Sequence, residues 1–252
     1  MRMDDTDKER STKEFEQNIV LGLAWLGLNH DELYRQSERG ELYKKYLKQM
    51  LDDGHAYVSQ EEVKEEGQRS EVIRLKNPSK RITFTDLVRG EVSFDTTELG
   101  DMVIAKSLEE PLYHLASVVD DFEMGITHII RGEDGISNTP RQILLQEAIG
   151  APRPIYAHLS LILASDRSKL SKRKHGEMVW IDTYKDKGYS AEAIINYLAL
   201  LGWNPGTDQE IFTLEELIKV FNIAKVHKGG AIFDEKKLAW VNRKHFNLGK
   251  NK

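Results

Sequence analysis

Lys169-Leu-Ser-Lys-Arg173 places two ammonium groups three residues apart on a short polar loop, just after the apolar run Leu159 to Leu163. Lysine is a compact, mobile point charge, so such a pair can close on a polyphosphate and stabilise the charge that develops as pyrophosphate leaves. Upstream, Thr127-His-Ile-Ile-Arg-Gly-Glu-Asp134 ends an apolar, β-branched run in Arg131, Glu133 and Asp134. A guanidinium at a strand end suits a carboxylate ligand because it binds bidentately. Plainer readings stand beside both. Lys- and Ser-rich pentapeptides are most often solvated loops, and Arg131 has Glu133 and Asp134 as ready partners.

Further blocks accompany these two: Arg2-Met-Asp-Asp-Thr-Asp7, Tyr34-Arg-Gln-Ser-Glu-Arg39, Leu99-Gly-Asp-Met-Val-Ile104, Tyr113-His-Leu-Ala-Ser-Val-Val-Asp-Asp121 and Ser137-Asn-Thr-Pro-Arg-Gln142. Together, and in this order, they resemble the glutamyl-tRNA synthetases of bacterial type, which are class I aminoacyl-tRNA synthetases. The resemblance runs nearly from end to end. It implies a glutamate–tRNA ligase, in which glutamate and ATP give glutamyl-adenylate and then glutamyl-tRNA.

Residue by residue, the resemblance assigns a glutamate site to Asp4, Tyr113, Ser117 and Arg131. Arg131 would take the side-chain carboxylate and Asp4 the ammonium group. It assigns an ATP site to Asp134, Ile162, Lys169, Leu170, Ser171, Lys172 and Arg173, with Lys169, Ser171 and Lys172 acting in catalysis. Asp134 would approach the ribose hydroxyls, and the backbone around Ile162 would face the adenine. No side chain is needed as nucleophile, because the substrate carboxylate attacks the α-phosphate. Mg2+ is expected to arrive with ATP, not in a protein cage. Three positions depart from the pattern: Asp4 where bacterial relatives carry Glu, Ser117 where some have Asn, and Gly135 where His or Trp is common. Other readings of the same residues stay open. Tyr113 beside Leu112 and Leu115 has the character of a core tyrosine, and Asp4 that of a helix-start acid.

The sequence opens at the Arg-x-Asp-Asp-Thr-Asp block, so the family's first strand and its His-containing phosphate loop are expected to be missing, leaving strand edges unpaired. It stops shortly after Trp240, before the anticodon-binding region such enzymes carry. A fragment that is weak or inactive alone is the expectation. Two alternatives are a non-catalytic tRNA-binding fragment and a glutaminyl or modified-base glutamylating paralogue.

Composition is consistent with this. The 252 residues carry a net charge of -5 and no cysteine, which excludes disulfides and thiolate zinc, so no protein-bound zinc is expected. No signal segment or membrane-length apolar run is present, and a monomeric, cytoplasmic protein without a membrane partner is the default. From Lys219 onward nine basic residues face two acidic ones, a local balance of +7 that suits a phosphate backbone or, equally, a solvated lysine tail. Expected partners are tRNA(Glu), L-glutamate and ATP.

The elements that must position these residues read as α/β: an incomplete doubly wound, Rossmann-like nucleotide-binding domain with an inserted α+β domain and a helical C-terminal part. Residues 1–56 would be the first part of the catalytic domain, 57–105 the inserted acceptor-end-binding domain, 106–176 the second part with the lysine loop, and 177–252 a helical stem-contact region. Local signals support the division. Ser11-x-x-Glu14 and Thr213-x-x-Glu216 read as capping boxes, and Ser190 and Asp234 as caps of helices running to Leu201 and Asn242. A helix is expected from near Arg39 to Leu51, with Gly54 past its end. Short strands are expected at 81–88, 91–94 and 102–104, and a short helix and loop at 60–70. Ile126 to Ile130 and Leu159 to Leu163 read as buried parallel strands. Between them lies a helix with Thr139 as N-cap and Pro140 at its first position, ending at Gly150.

Overall fold

The computed structural model describes residues 1–7, 11–62 and 70–250, with the side chains of residues 172, 173, 249 and 250 outside the description. In chain order the elements are β1 (Arg2–Met3), α1 (Lys13–Trp25), β2 (Tyr34–Arg35), α2 (Gly40–Asp52), β3 (Ala56–Gln60), β4 (Glu71–Leu75), β5 (Arg81–Asp86), β6 (Gly90–Asp95), β7 (Met102–Ser107), β8 (Glu110–Pro111) and α3 (Tyr113–Glu123). Then come β9 (His128–Gly132), α4 (Thr139–Ala148), β10 (Ile155–Leu159), β11 (Ile162–Leu163), α5 (Lys172–His175), α6 (Ile181–Asp186), α7 (Ala191–Leu200), α8 (Leu214–Val220), β12 (Ala231–Ile232) and α9 (Glu235–Lys250). The fold class is α/β, as expected.

One sheet has the order β6-β5-β10-β9, with β10 parallel to both β5 and β9 and β5–β6 an antiparallel hairpin. The hairpin therefore joins the strands that end in the candidate site. A second, antiparallel sheet runs β3-β4-β7-β8. Between the sheets and helices α2, α3 and α4 lies the main core, with Leu47, Met50, Ile104, Leu115, Ile143 and Leu145 almost fully enclosed. Fully burying a side chain of this size contributes about 1.5–3 kcal/mol. Among the described residues no strand pairs the outer edge of β9, and Ile130 there is 54 % exposed. A further core joins Leu26, Tyr197, Phe233, Leu238 and Val241, tying the end of α1 to α7 and α9.

Local signals were right in kind and often shifted in place. Thr213 and Ser190 cap α8 and α7, and Thr213 forms the full capping box with Glu216. At α1 the cap is Thr12, not Ser11: its Oγ1 accepts the Phe15 N–H at 3.3 Å, because the helix starts one residue later. β9 is displaced two residues towards the C-terminus of the expected run. The expected strand from Leu159 to Leu163 is split, since β10 ends at Leu159 and β11 pairs instead with β12. That pairing also puts a strand into the region expected to be wholly helical. Thr139 does not cap α4. A 3-10 turn, Glu133–Asn138, feeds straight into the helix, and the Thr139 side chain turns to other partners. α9 runs on past Asn242, its expected end, to Lys250. Residues 63–69 of the expected helix and loop lie outside the described residues.

Candidate active site

A cleft of about 940 Å3 opens beside β1, α3 and β9, and its lining includes all four residues expected to bind the amino acid: Asp4, Tyr113, Ser117 and Arg131. Tyr113 is 43 % exposed, so it is a cleft residue and not a core tyrosine. Asp4 is held by Arg2, whose Nε donates to Oδ1 at 2.7 Å while Nη1 donates to Asp121 Oδ1 at 2.5 Å. The same arginine thus ties β1 to α3. Burial pushes the Asp121 carboxyl up, and Arg2 only partly offsets this. Beneath it, the enclosed Asp120 carboxylate accepts from Arg39 Nε at 2.7 Å, Tyr43 Oη at 2.8 Å and Gln36 Nε2 at 3.2 Å. A larger groove of about 1150 Å3 runs along α1 and shares Asp4, but Arg131 takes no part in it.

Arg131 does not adopt the local pairing its neighbours offered. Glu133 pairs with Arg89 at 2.7 Å, and Asp134 pairs with Lys169. Among the described residues Arg131 forms no ion pair. Its contacts are neutral: Nε donates to His158 Nε2 at 3.2 Å, and Nη2 to Thr139 Oγ1 at 2.9 Å. An arginine in a cleft without a carboxylate is ready to receive one. Gly135 makes room for it, because a Cβ there would lie 2.7 Å from Arg131 Nε.

Two buried polar atoms in this lining have no hydrogen-bond partner among the described residues, Ser117 Oγ and Gln142 Oε1. Leaving such a group unsatisfied costs about 1–3 kcal/mol. Gln142 was not among the expected site residues; glutamine within a helix gives no sequence signal of its own.

The lysine loop is a tight excursion from β11. The Ala164 N–H donates to the Ser168 carbonyl and the Leu170 N–H to the Ile162 carbonyl, so the Ile162 backbone is already partly engaged by the loop. Arg167 at its tip has a φ of +63°. Asp166 accepts from Lys174 Nζ at 2.8 Å and from Ser168, and these bonds hold its carboxyl well below the usual range. The Lys169–Asp134 ion pair joins this loop to the end of β9, bringing two of the expected ATP residues together. Asp134 is held below its ordinary value chiefly by that lysine. Ser171 shapes the start of α5 through its backbone, donating to His175 Nδ1 at 3.1 Å, and Leu170 packs on the C-terminal core. Lys172 and Arg173 open α5, but their side chains lie outside the described residues. Towards the C-terminus, Lys237 and Lys244 lie over Trp240 at 4.4 and 5.6 Å from the ring centre. Among the described residues no helix is long and apolar enough to cross a membrane.

The family model for class I tRNA synthetases (E and Q), catalytic domain, matches residues 1–66 and 58–240. The glutamate–tRNA ligase of Carboxydothermus hydrogenoformans is 45 % identical over 285 positions, covering 96 % of this chain and 59 % of its own length. That of Aquifex aeolicus is 43 % identical, covering 96 % and 58 %. A crystal structure of a glutamate tRNA ligase from Elizabethkingia meningosepticum in complex with its amino acid matches with a TM-score of 0.88 at 33 % identity, covering 98 % of this chain and 62 % of that one. The chain spans about three fifths of the length of the curated relatives it matches. Within the matched region it is also shorter. Since 96 % of 252 residues is about 242, about 43 of the 285 aligned positions have no counterpart here. The two matched segments overlap at residues 58–66.

Proposed function

The chain belongs to the class I tRNA synthetases of the E and Q type, and on that premise we propose that its cleft is the glutamate site of a glutamate–tRNA ligase. The observation that carries this reading is Arg131, a guanidinium without a carboxylate partner among the described residues, in the same cleft as Asp4. Arg131 receives the γ-carboxylate, Asp4 the ammonium group, and Tyr113 and Ser117 fix the chain between them. Asp4 is one methylene shorter than Glu, and its bond from Arg2 sets how far it reaches.

An oxygen of the substrate α-carboxylate attacks the α-phosphorus of ATP, and the bond to the bridging oxygen breaks as pyrophosphate leaves. Lys169 and Lys172 stabilise the charge on the departing phosphates, with Ser171, Leu170 and Arg173 shaping their loop. To do so Lys169 exchanges Asp134 for phosphate, which frees Asp134 for the ribose. Adenine lies against the backbone at Ile162. A ribose hydroxyl of tRNA(Glu) then attacks the activated carbonyl and AMP leaves. Mg2+ belongs to the ATP phosphates, whose hard oxygens suit it.

For tRNA we assign the acceptor end to residues 57–105 and the stem to the basic residues of 177–252, with 1–56 and 106–176 as the two parts of the catalytic domain. A monomeric, cytoplasmic protein completes the reading. Charging assays on the protein at its full natural length test it: esterification of tRNA with labelled glutamate, and not with glutamine, is expected. Binding of tRNA with no charging of either amino acid would replace it with a non-catalytic role.

A further inference from the structure

We propose that Asp86, His158 and Thr139 are positioning residues that, with the open space at Gly135, pre-set the guanidinium of Arg131 for its ligand. This rests on the reading of Arg131 as the carboxylate receptor, and its test separates the two. His158 and Thr139 are fully enclosed and Asp86 nearly so, which makes an unpaired group among them costly.

The hydrogens can be assigned by elimination. Asp86 Oδ2 lies 2.6 Å from His158 Nδ1, and an ionised carboxylate only accepts, so Nδ1 carries the proton. His158 Nε2 is then a lone pair. It accepts from Arg131 Nε at 3.2 Å and from the Thr139 hydroxyl at 3.2 Å, and the Thr139 oxygen in turn accepts from Arg131 Nη2 at 2.9 Å. Arg131 Nε–H and the Thr139 hydroxyl share the one lone pair of His158 Nε2, and the tautomer that presents it is set by Asp86. Burial, the largest influence on His158, keeps the ring neutral against the pull of Asp86, as this scheme requires.

Asp86 is itself immobilised. It accepts the backbone N–H groups of Val88 and Arg89 at 2.9 Å and that of His158 at 3.0 Å. The first two close the turn of the β5–β6 hairpin and the third fastens it to β10, so the anchor of Arg131 lies on a strand remote in sequence. On the opposite side the Arg131 stem occupies the space at Gly135, where a Cβ would come within 2.8 Å of Cδ as well as 2.7 Å of Nε. Of the five guanidinium N–H groups, Nε–H and one Nη2–H are used inside the protein. The two Nη1–H groups and the second Nη2–H remain for a bidentate carboxylate.

L-glutamate affinity is measured by calorimetry, with the unfolding midpoint and ATP affinity alongside, on the protein at its full natural length. The variants are Thr139→Val, Thr139→Ser, Gly135→Ala and Arg131→Gln. Thr139→Val and Gly135→Ala are expected to weaken glutamate roughly tenfold or more by displacing the guanidinium, with ATP affinity unchanged. Thr139→Ser keeps the hydroxyl and should stay within about threefold of the parent. If Thr139→Val fails to fold, Gly135→Ala carries the test, since the three atoms nearest its methyl all belong to the movable Arg131 side chain. Loss of binding in Arg131→Gln with parental affinity in both Thr139→Val and Gly135→Ala overturns the positioning role alone. Parental affinity in Arg131→Gln overturns the glutamate reading itself, and the positioning role with it.

Discussion

His158 Nδ1 lies 2.6 Å from Asp86 Oδ2, with the two residues 72 positions apart in sequence and both side chains closed to solvent. Burial would raise the carboxyl, but backbone N–H groups and His158 outweigh it and keep the group ionised. The imidazole stays neutral because burial outweighs the carboxylate.

That neutrality has a pH signature. His114, His158 and His245 are all held below their ordinary value, burial being the leading cause in each. The groups acting on them are Arg141 and Arg131 at His114, Asp86, Arg131 and Arg89 at His158, and Glu192 at His245. When the folded value lies below the unfolded one, the unfolded chain takes up protons first as pH falls. Stability is therefore full above about pH 6.5 and declines below it, until the folded values are reached. Asp86 adds a separate loss at lower pH, below its ordinary 3.8. Denaturation midpoints across this range are expected to fall from about pH 6.5 downward; a rise would contradict the neutral assignment.

Asp120 is the acceptor for donors on α2 and the segment before it, and its Oδ2 also lies 3.8 Å from Arg2 Nε. Asp120→Ala is expected to destabilise by about 3–5 kcal/mol, since Arg39 loses its buried counter-charge. Denaturant titration measures it, and a loss under about 1 kcal/mol would show that the network relaxes into water.

Gln142→Leu removes an acceptor that has no partner among the described residues. The unfolding midpoint is expected to hold or rise, while glutamate affinity falls. A lower midpoint with parental affinity would mean that Gln142 serves packing only.

Lys169 and Asp134 are each about half exposed, so their ion pair contributes at most about 1 kcal/mol. Lys169→Ala is expected to leave the unfolding midpoint nearly unchanged and to lower the rate of adenylate formation roughly a hundredfold or more. A parental rate would remove Lys169 from the phosphate site.

The lysine loop and Arg131 were legible because their chemistry is concentrated in short segments with a strand ahead of each. The supports of Arg131 were not. His158 lies within an ordinary apolar strand, and its partner is decided by which residue of β5 falls opposite β10, a matter of register that no local pattern carries. Thr139 looked like a cap because threonine before proline usually is one. A 3-10 turn took over that role and freed its hydroxyl for Arg131. Helix starts such as Thr213 were legible because capping is settled within four residues. Strand ends near β9, β10 and β11 slipped because apolar runs do not mark where pairing stops.

The most direct measurement is steady-state charging by Arg131→Gln with glutamate and ATP varied in turn. The account predicts a KM for glutamate raised by roughly a hundredfold, from loss of a charge-assisted bidentate contact, with the KM for ATP unchanged. An unchanged KM for glutamate would contradict it, because the cleft would then not be where the amino acid's carboxylate is received.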